Sequence, residues 1–125
     1  MEKQVLYKNK KIEIRKSPIH GYGVFAKENI NAGETLEECH YIRLTLNELL
    51  PKLRRYTFGL IENNRVIPAI IFGYGSIYND SGTKENGNAL VKSFKDYISL
   101  YAKNDINANE EILIYYGNDC DKIGR

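Results

Sequence analysis

The sequence is poor in several residues that usually announce a function. Its 125 residues include no tryptophan, one methionine, two cysteines, two histidines and three prolines. Cys39 and Cys120 are too few for a disulfide framework or a cysteine-built zinc site. They suit a reducing compartment, with a single bridge as the alternative. His20 and His40 show no HxxxH spacing and there is no CxxC pair, so no metal is expected. An excess of one charge is also lacking. Eighteen basic against 16 acidic residues leave +2, too near balance to indicate a nucleic-acid or membrane surface. The longest apolar stretch, Val66 to Phe72, is interrupted by Pro68, whereas a membrane-spanning helix needs about 20 apolar residues. The basic start MEKQVLYKNKK is followed by no apolar h-region, so no secretory signal is read and an intracellular protein is expected. There is no GxSxG elbow of a serine hydrolase. Gly21-Tyr22-Gly23 lacks the third glycine and following helix of a dinucleotide fingerprint.

The residues that are present have the balance of one soluble domain, with 42% apolar and 27% charged. A chain of this size buries roughly two-thirds of its extended surface, enough for one core without staples. The patterning is mainly of period two. Lys11 to Arg15 alternates polar and apolar, and Gly21, Gly23 and Asn31-Ala32-Gly33 punctuate the next twenty residues, which predicts short strands joined by turns. Thr35 to Leu44, Tyr97 to Tyr101 and Ile112 to Tyr115 are further strand candidates, rich in β-branched and aromatic residues. One helix is predicted. Thr45 and Glu48 make a capping-box pattern, with Leu46, Leu49, Leu50 and Leu53 at helical spacing and Pro51 set to kink or shorten it. Asn79 to Asn88 reads as a long loop.

Tyrosine dominates the aromatics, ten of 14, and Tyr22, Tyr74 and Tyr116 each adjoin glycine. Such tyrosines serve as strand residues with hydroxyls at the surface, or else wall a pocket that holds a cation or an alkyl amine. Spacing alone leaves both open.

Three segments, in order, resemble the SET-domain protein lysine methyltransferases. KSPIHGYGVFAKENINAGETLEEC, from Lys16 to Cys39, is similar to the family's opening G-x-G segment and its G-E-x-L-x-E run. GYGSIYNDS, ending at Ser81, is similar to the N-H-S block with its preceding aromatic. NEEILIYYG, from Asn109 to Gly117, is similar to the G-E-E-I-T-x-x-Y-G ending. The resemblance runs from about Lys11 to Asp119, so residues 1–10 are expected as an N-terminal extension and 11–125 as the SET domain. The nearest likeness is to minimal stand-alone SET proteins of the viral type.

The resemblance implies a mainly β fold of small curved sheets, with a knot-like C-terminus and one short helix. It implies that S-adenosylmethionine and a substrate lysine enter from opposite faces of a narrow channel. Gly21, Tyr22 and Gly23 would lie against the cofactor, where a main chain without Cβ can approach a ligand. Asn79 and Asp80 would bind its amino-acid portion or adenine edge, Asp80 through its backbone. Tyr116 takes the position of the catalytic tyrosine and would also touch the cofactor, while Tyr22, Tyr56 and Tyr116 would line the lysine channel. A lysine with pKa near 10.4 is neutral in only about one molecule in 2,500 at pH 7, a penalty of about 4.6 kcal/mol. A dry channel beside a positive sulfonium lowers that pKa. The chain would then mainly align the reactants, with Tyr116 supplying orientation and electrostatics.

There are departures. Asp80 replaces the histidine of N-H-S, and the P-N after that block stands as Gly87-Asn88, displaced by a three-residue insertion. No cysteine cluster or aromatic residue comes after Gly117 in GNDCDKIGR. A partner subunit or the bound peptide would then close the site, or cofactor affinity would be weak. The expected substrate is a lysine in a histone tail or other basic protein, where Glu37, Glu38 and Glu62 could meet a basic peptide, with product state open. No nucleic acid or membrane partner is expected, and a homodimer would cover exposed edges. The expected location is a host nucleus if viral, otherwise the cytoplasm. The alternative function is a catalytically weak or inactive SET-fold module that binds peptide or cofactor, favoured by Asp80 and the bare tail.

Overall fold

The protein is described by a computed structural model covering residues 5–54 and 56–115. Nine strands are described: β1 (Ile12–Lys16), β2 (Tyr22–Ala26), β3 (Thr35–Arg43), β4 (Thr57–Glu62), β5 (Arg65–Ile71), β6 (Asn79–Asp80), β7 (Ala89–Ser93), β8 (Tyr97–Ala102) and β9 (Glu111–Ile114). They pair along an open path, β1-β2-β9-β7-β8-β3-β5-β4, with β6 added beside β9. The path is made of small sheets that share β9 and β3. Its register slips between Thr35 and Glu37, a bulge of the kind that bends a strand. No helix among the described residues is long and apolar enough to cross a membrane.

Period-two alternation works best at the centre. β8 buries Ile98, Leu100 and Ala102 and turns Tyr97, Ser99 and Tyr101 partly outward. Its inward residues meet Leu36, Leu60, Ile112 and Val24 in one core. The segment after Thr45 keeps its capping box but not one continuous helix. A 3-10 turn (Leu46–Glu48) is followed by a four-residue helix, α1 (Pro51–Arg54), with Pro51 at its first position. Proline lacks the N–H that an internal turn requires and fits a first turn, so it divides the segment as expected.

Four strands, β4 to β7, were not among the candidates, and β6 (Asn79–Asp80) corrects the start of the expected loop, its two residues pairing with β9. β5 contains Pro68, which ordinarily argues against a strand. The Pro68 carbonyl accepts from Leu44 N–H at 2.8 Å, so the missing N–H also faces β3, just past its last pair Arg43↔Ala69. The β4–β5 hairpin closes on Asn63-Asn64, with φ of 51° and 62°. Both central residues of a type I′ turn need positive φ, and asparagine tolerates it better than most residues.

Of the stretch expected as an N-terminal extension, Tyr7, Lys8 and Asn9 lie against β3. Lys8 bridges Glu37, Asn9 N–H donates to Leu36 O at 2.8 Å, and Glu38 N–H donates to Tyr7 O at 2.7 Å. At the other end, β9 is gripped by both ends of one loop. Ser81 N–H donates to Ile114 O, Asn88 N–H donates to Leu113 O, and the Asn88 side chain bonds Glu111 O and Leu113 N. The knot-like threading expected after this point falls in residues 116–125, outside those described.

Candidate functional site

β2 and β6 bring the first two motifs together. Asn79 is buried, with 8% exposure, and pairs in parallel with Leu113 while Asp80 pairs with Ile114. The Asn79 amide nitrogen donates to Glu111 Oε2 at 2.8 Å, His20 O at 3.1 Å and Tyr22 O at 3.4 Å. Glu111 Oε1 in turn accepts from Ser17 Oγ at 2.8 Å. One amide and one carboxylate therefore hold the His20–Tyr22 turn against β9. Buried polar groups matched in this way fix a geometry firmly, because losing one partner leaves the other desolvated and unpaired.

The two glycines of the turn serve different ends. Gly21 has φ +49°, and a Cβ there would meet nothing within 4 Å. Its face opens on space, as close approach to a ligand requires. A Cβ at Gly23 would instead overlap the Glu111 carboxylate and stand 3.0 Å from Asn79 Nδ2. Gly23 thus makes room for the internal network, a different reason from the expected approach to cofactor.

Beside this turn lies a pocket of about 480 Å³ whose lining includes Gly21, Tyr22, Tyr56, Asn79 and Asp80. Five residues expected from three separate segments share one cavity, and Gly23 stands next to it. Tyr22 and Tyr56 are both open to solvent, at 57% and 48% exposure. Asp80 Oδ1 accepts from Gly82 N–H at 3.1 Å, so its carboxylate is engaged in the next turn of the chain. Tyr116 lies outside the described residues, one position beyond Tyr115. Sequence reasoning missed Ser17 and Glu111, although both stand inside the quoted motifs. It also missed His20, Ile77 and Tyr78 in the lining.

A second cavity, of about 520 Å³, is walled by Phe58 to Ile61 of β4, Ala89 to Val91 of β7, and Ile114 and Tyr115. Asp80 lines the first cavity and its strand partner Ile114 lines the second, so the two cavities flank the end of β9.

Behind the site, Glu37 is only 1% exposed and accepts from Tyr78 Oη at 2.8 Å and from Tyr74 N–H at 3.3 Å. Burial pushes its carboxyl above the ordinary 4.5, against the hydrogen bonds from Tyr78, Tyr74 and Cys39 and the charge of Lys8, 3.8 Å away. Burial and the same carboxyl drive the Cys39 thiol and the Tyr78 phenol up, so both stay protonated. The expectation that Glu37, Glu38 and Glu62 could meet a basic peptide is corrected here. Glu37 is buried, Glu38 Oε1 accepts from Tyr7 N–H at 3.0 Å, and Glu62 is held by Arg43 Nε at 3.1 Å.

Comparison with known proteins identifies the family. A family model described as the SET domain matches residues 21–117. A Plasmodium falciparum (isolate 3D7) protein with the provisional name histone-lysine N-methyltransferase 1 is 33% identical over 94% of this chain, which spans 2% of that protein's length. The human histone-lysine N-methyltransferase SETD1B is 28% identical over 90% of the chain, which spans 6% of it. The Schizosaccharomyces pombe histone-lysine N-methyltransferase described as H3 lysine-37 specific is 30% identical over 86% of the chain and 74% of its own length. Among solved structures, a provisionally named Plasmodium falciparum histone methyltransferase superposes with TM-score 0.68 at 35% identity, covering 88% of this chain and 96% of that one. A Polycomb Repressive Complex 2 structure bound to S-adenosylmethionine superposes at 0.67 and 25% identity, covering 89% of this chain and 16% of that one.

Proposed function

This chain belongs to the SET-domain family, and on that premise we propose that it is an S-adenosylmethionine-dependent protein-lysine N-methyltransferase. One observation carries the reading: two cavities of ligand size flank the end of β9, Asp80 lining one and its strand partner Ile114 lining the other. The first suits the cofactor. Its open Gly21 face leaves room that a Cβ would fill, its tyrosine walls favour a cation, and its volume suits a small molecule. When bound there, S-adenosylmethionine supplies an electrophilic methyl group on a positively charged sulfur. The second cavity takes the substrate segment, in extended form, along β4 and β7.

The chain's own residues then have distinct tasks. Asn79 and Glu111 hold the carbonyls of His20 and Tyr22 in place, so the turn is shaped before any ligand arrives. Tyr22 and Tyr56 border the first cavity, where the target amine would meet the cofactor and lose part of its water shell on approach. Loss of water favours the neutral amine that can attack. Tyr116 orients the reacting groups and stabilises charge through its hydroxyl. The histone-lysine methyltransferase names of the relatives make histones the first substrates to try. Self-association belongs to the same reading, since β1 and β4 end the strand path, and sedimentation velocity tests it.

The decisive experiment is transfer of labelled methyl to core histones and to a protein mixture, with Tyr116→Phe alongside. We expect label on lysine, reduced on the order of 10²-fold in the variant, comparable to removing one preorganised donor. Cofactor binding by calorimetry without transfer to any protein would replace the enzyme with a binding module. No cofactor binding would reject the assignment of the first cavity.

A further inference from the structure

We infer that the second cavity selects substrate lysines with acidic neighbours, Lys84 and Lys103 being the specificity-determining residues. The inference rests on the reading that the substrate segment lies in that cavity. Its walls are largely apolar, and among the described residues the charged side chains in its lining are Lys84 and Lys103, with no Asp or Glu. Of the described carboxylates, the two nearest in sequence, Glu62 and Glu85, do not line the cavity. Glu62, next after Ile61 in β4, is held by Arg43 through Nε and Nη2. Glu85 is next to Lys84 on the same loop but does not line the cavity.

Lys103 is tied to the backbone of Lys84. Lys103 Nζ donates to the Lys84 carbonyl at 3.1 Å, and Lys103 N–H donates to Asn88 O at 2.8 Å. The loop carrying Lys84 is therefore tied to the first residue after β8, and both lysines line one cavity.

This lining has two physical consequences. A substrate lysine entering past two ammonium groups is easier to deprotonate, since like charges disfavour its charged form. The same lysines repel arginine and lysine on either side of the target, whereas aspartate or glutamate there gains attraction and offsets the approach of the target amine. Each exposed pair contributes little alone, but attraction exchanged for repulsion at two positions amounts to roughly 10-fold in kcat/KM. This departs from the expectation of a basic segment around the target.

The test uses the full 125-residue chain and three sets of 15-residue peptides with one central lysine, flanked by Asp/Glu, by Ser/Ala or by Arg. Methyl transfer is measured at low and high salt, and anisotropy of labelled peptides reports binding separately. The proposal expects acidic flanks to exceed Arg flanks by roughly 10-fold at low salt, with the ratio shrinking as salt screens the lysines. Lys84→Glu should abolish or invert the preference with cofactor affinity unchanged. Because Lys103 also tethers the loop, Lys103→Glu is read only beside Lys103→Gln, which loses the charge but keeps a donor. Transfer to all peptides without preference, or a preference that survives Lys84→Glu, would overturn the proposal alone. Cofactor binding with neither transfer to nor binding of any peptide would overturn the location of the substrate segment and the proposal with it.

Discussion

Gly21 and Gly23 stand two residues apart, yet their replacement by alanine should have different results. Gly23→Ala forces a methyl group into the Glu111 carboxylate and toward Asn79, which should lower stability by about 1–3 kcal/mol in urea titrations. Gly21→Ala meets open space and carries only the left-handed backbone penalty of about 1 kcal/mol. Its larger effect should be weaker S-adenosylmethionine binding by calorimetry, because the new methyl projects into the first cavity. Glu37 offers a second residue-level prediction. Burial raises its folded-state pKa above 4.5, so its stabilising contribution is complete below pH 4.5 and is lost as pH rises through the raised value. Wild type should lose stability relative to Glu37→Gln across that rise, whatever constant offset the amide introduces. Parallel pH profiles in urea titrations would show that burial does not govern this carboxyl. The family resemblance named Gly21, Tyr22, Asn79 and Asp80 for the cofactor and Tyr22 and Tyr56 for the lysine channel, and these five residues line one cavity. The chain did not reveal Glu37 as buried, because Glu37-Glu38 in a strand gives no local cue to which carboxylate turns inward.

Among the elements, the β4–β5 hairpin shows what a local pattern can hide. Its turn residues Asn63 and Asn64 are at positive φ and join strands of six and seven residues. Asn64→Gly should raise the denaturant midpoint slightly, and Asn64→Val should lower stability by about 1–2 kcal/mol without changing the m-value. An unaltered midpoint in both would mean that the turn contributes nothing to the hairpin. Asn-Asn is a weaker hairpin signal than Asn-Gly, and Pro68 argued against a strand, so the hairpin was hard to read from the chain. Only the pairing shows that Pro68 places its missing donor just past the last pair with β3. The segment from Leu46 to Arg54 illustrates the opposite case. Capping box, leucine spacing and Pro51 were all local signals, and together they yielded a turn and a short helix.

For the whole molecule, cofactor binding should appear as stabilisation. S-adenosylmethionine at 100 times its Kd should add about 2.7 kcal/mol to unfolding, provided that the unfolded chain does not bind it. A melting temperature unaffected by millimolar cofactor would contradict the assignment of the first cavity. The mainly β architecture and the family could be read from the chain without coordinates, because period-two alternation and three ordered motifs are short-range patterns. Folding settled the rest. It joined Ser17 to Glu111 across 94 positions, made Gly23 a space for a carboxylate and buried Glu37 under Tyr78. It also set two lysines in the lining of the cavity beside β9. Contacts of that span depend on which strands pair and in which register, and such pairing leaves no mark on the residues taken one neighbourhood at a time.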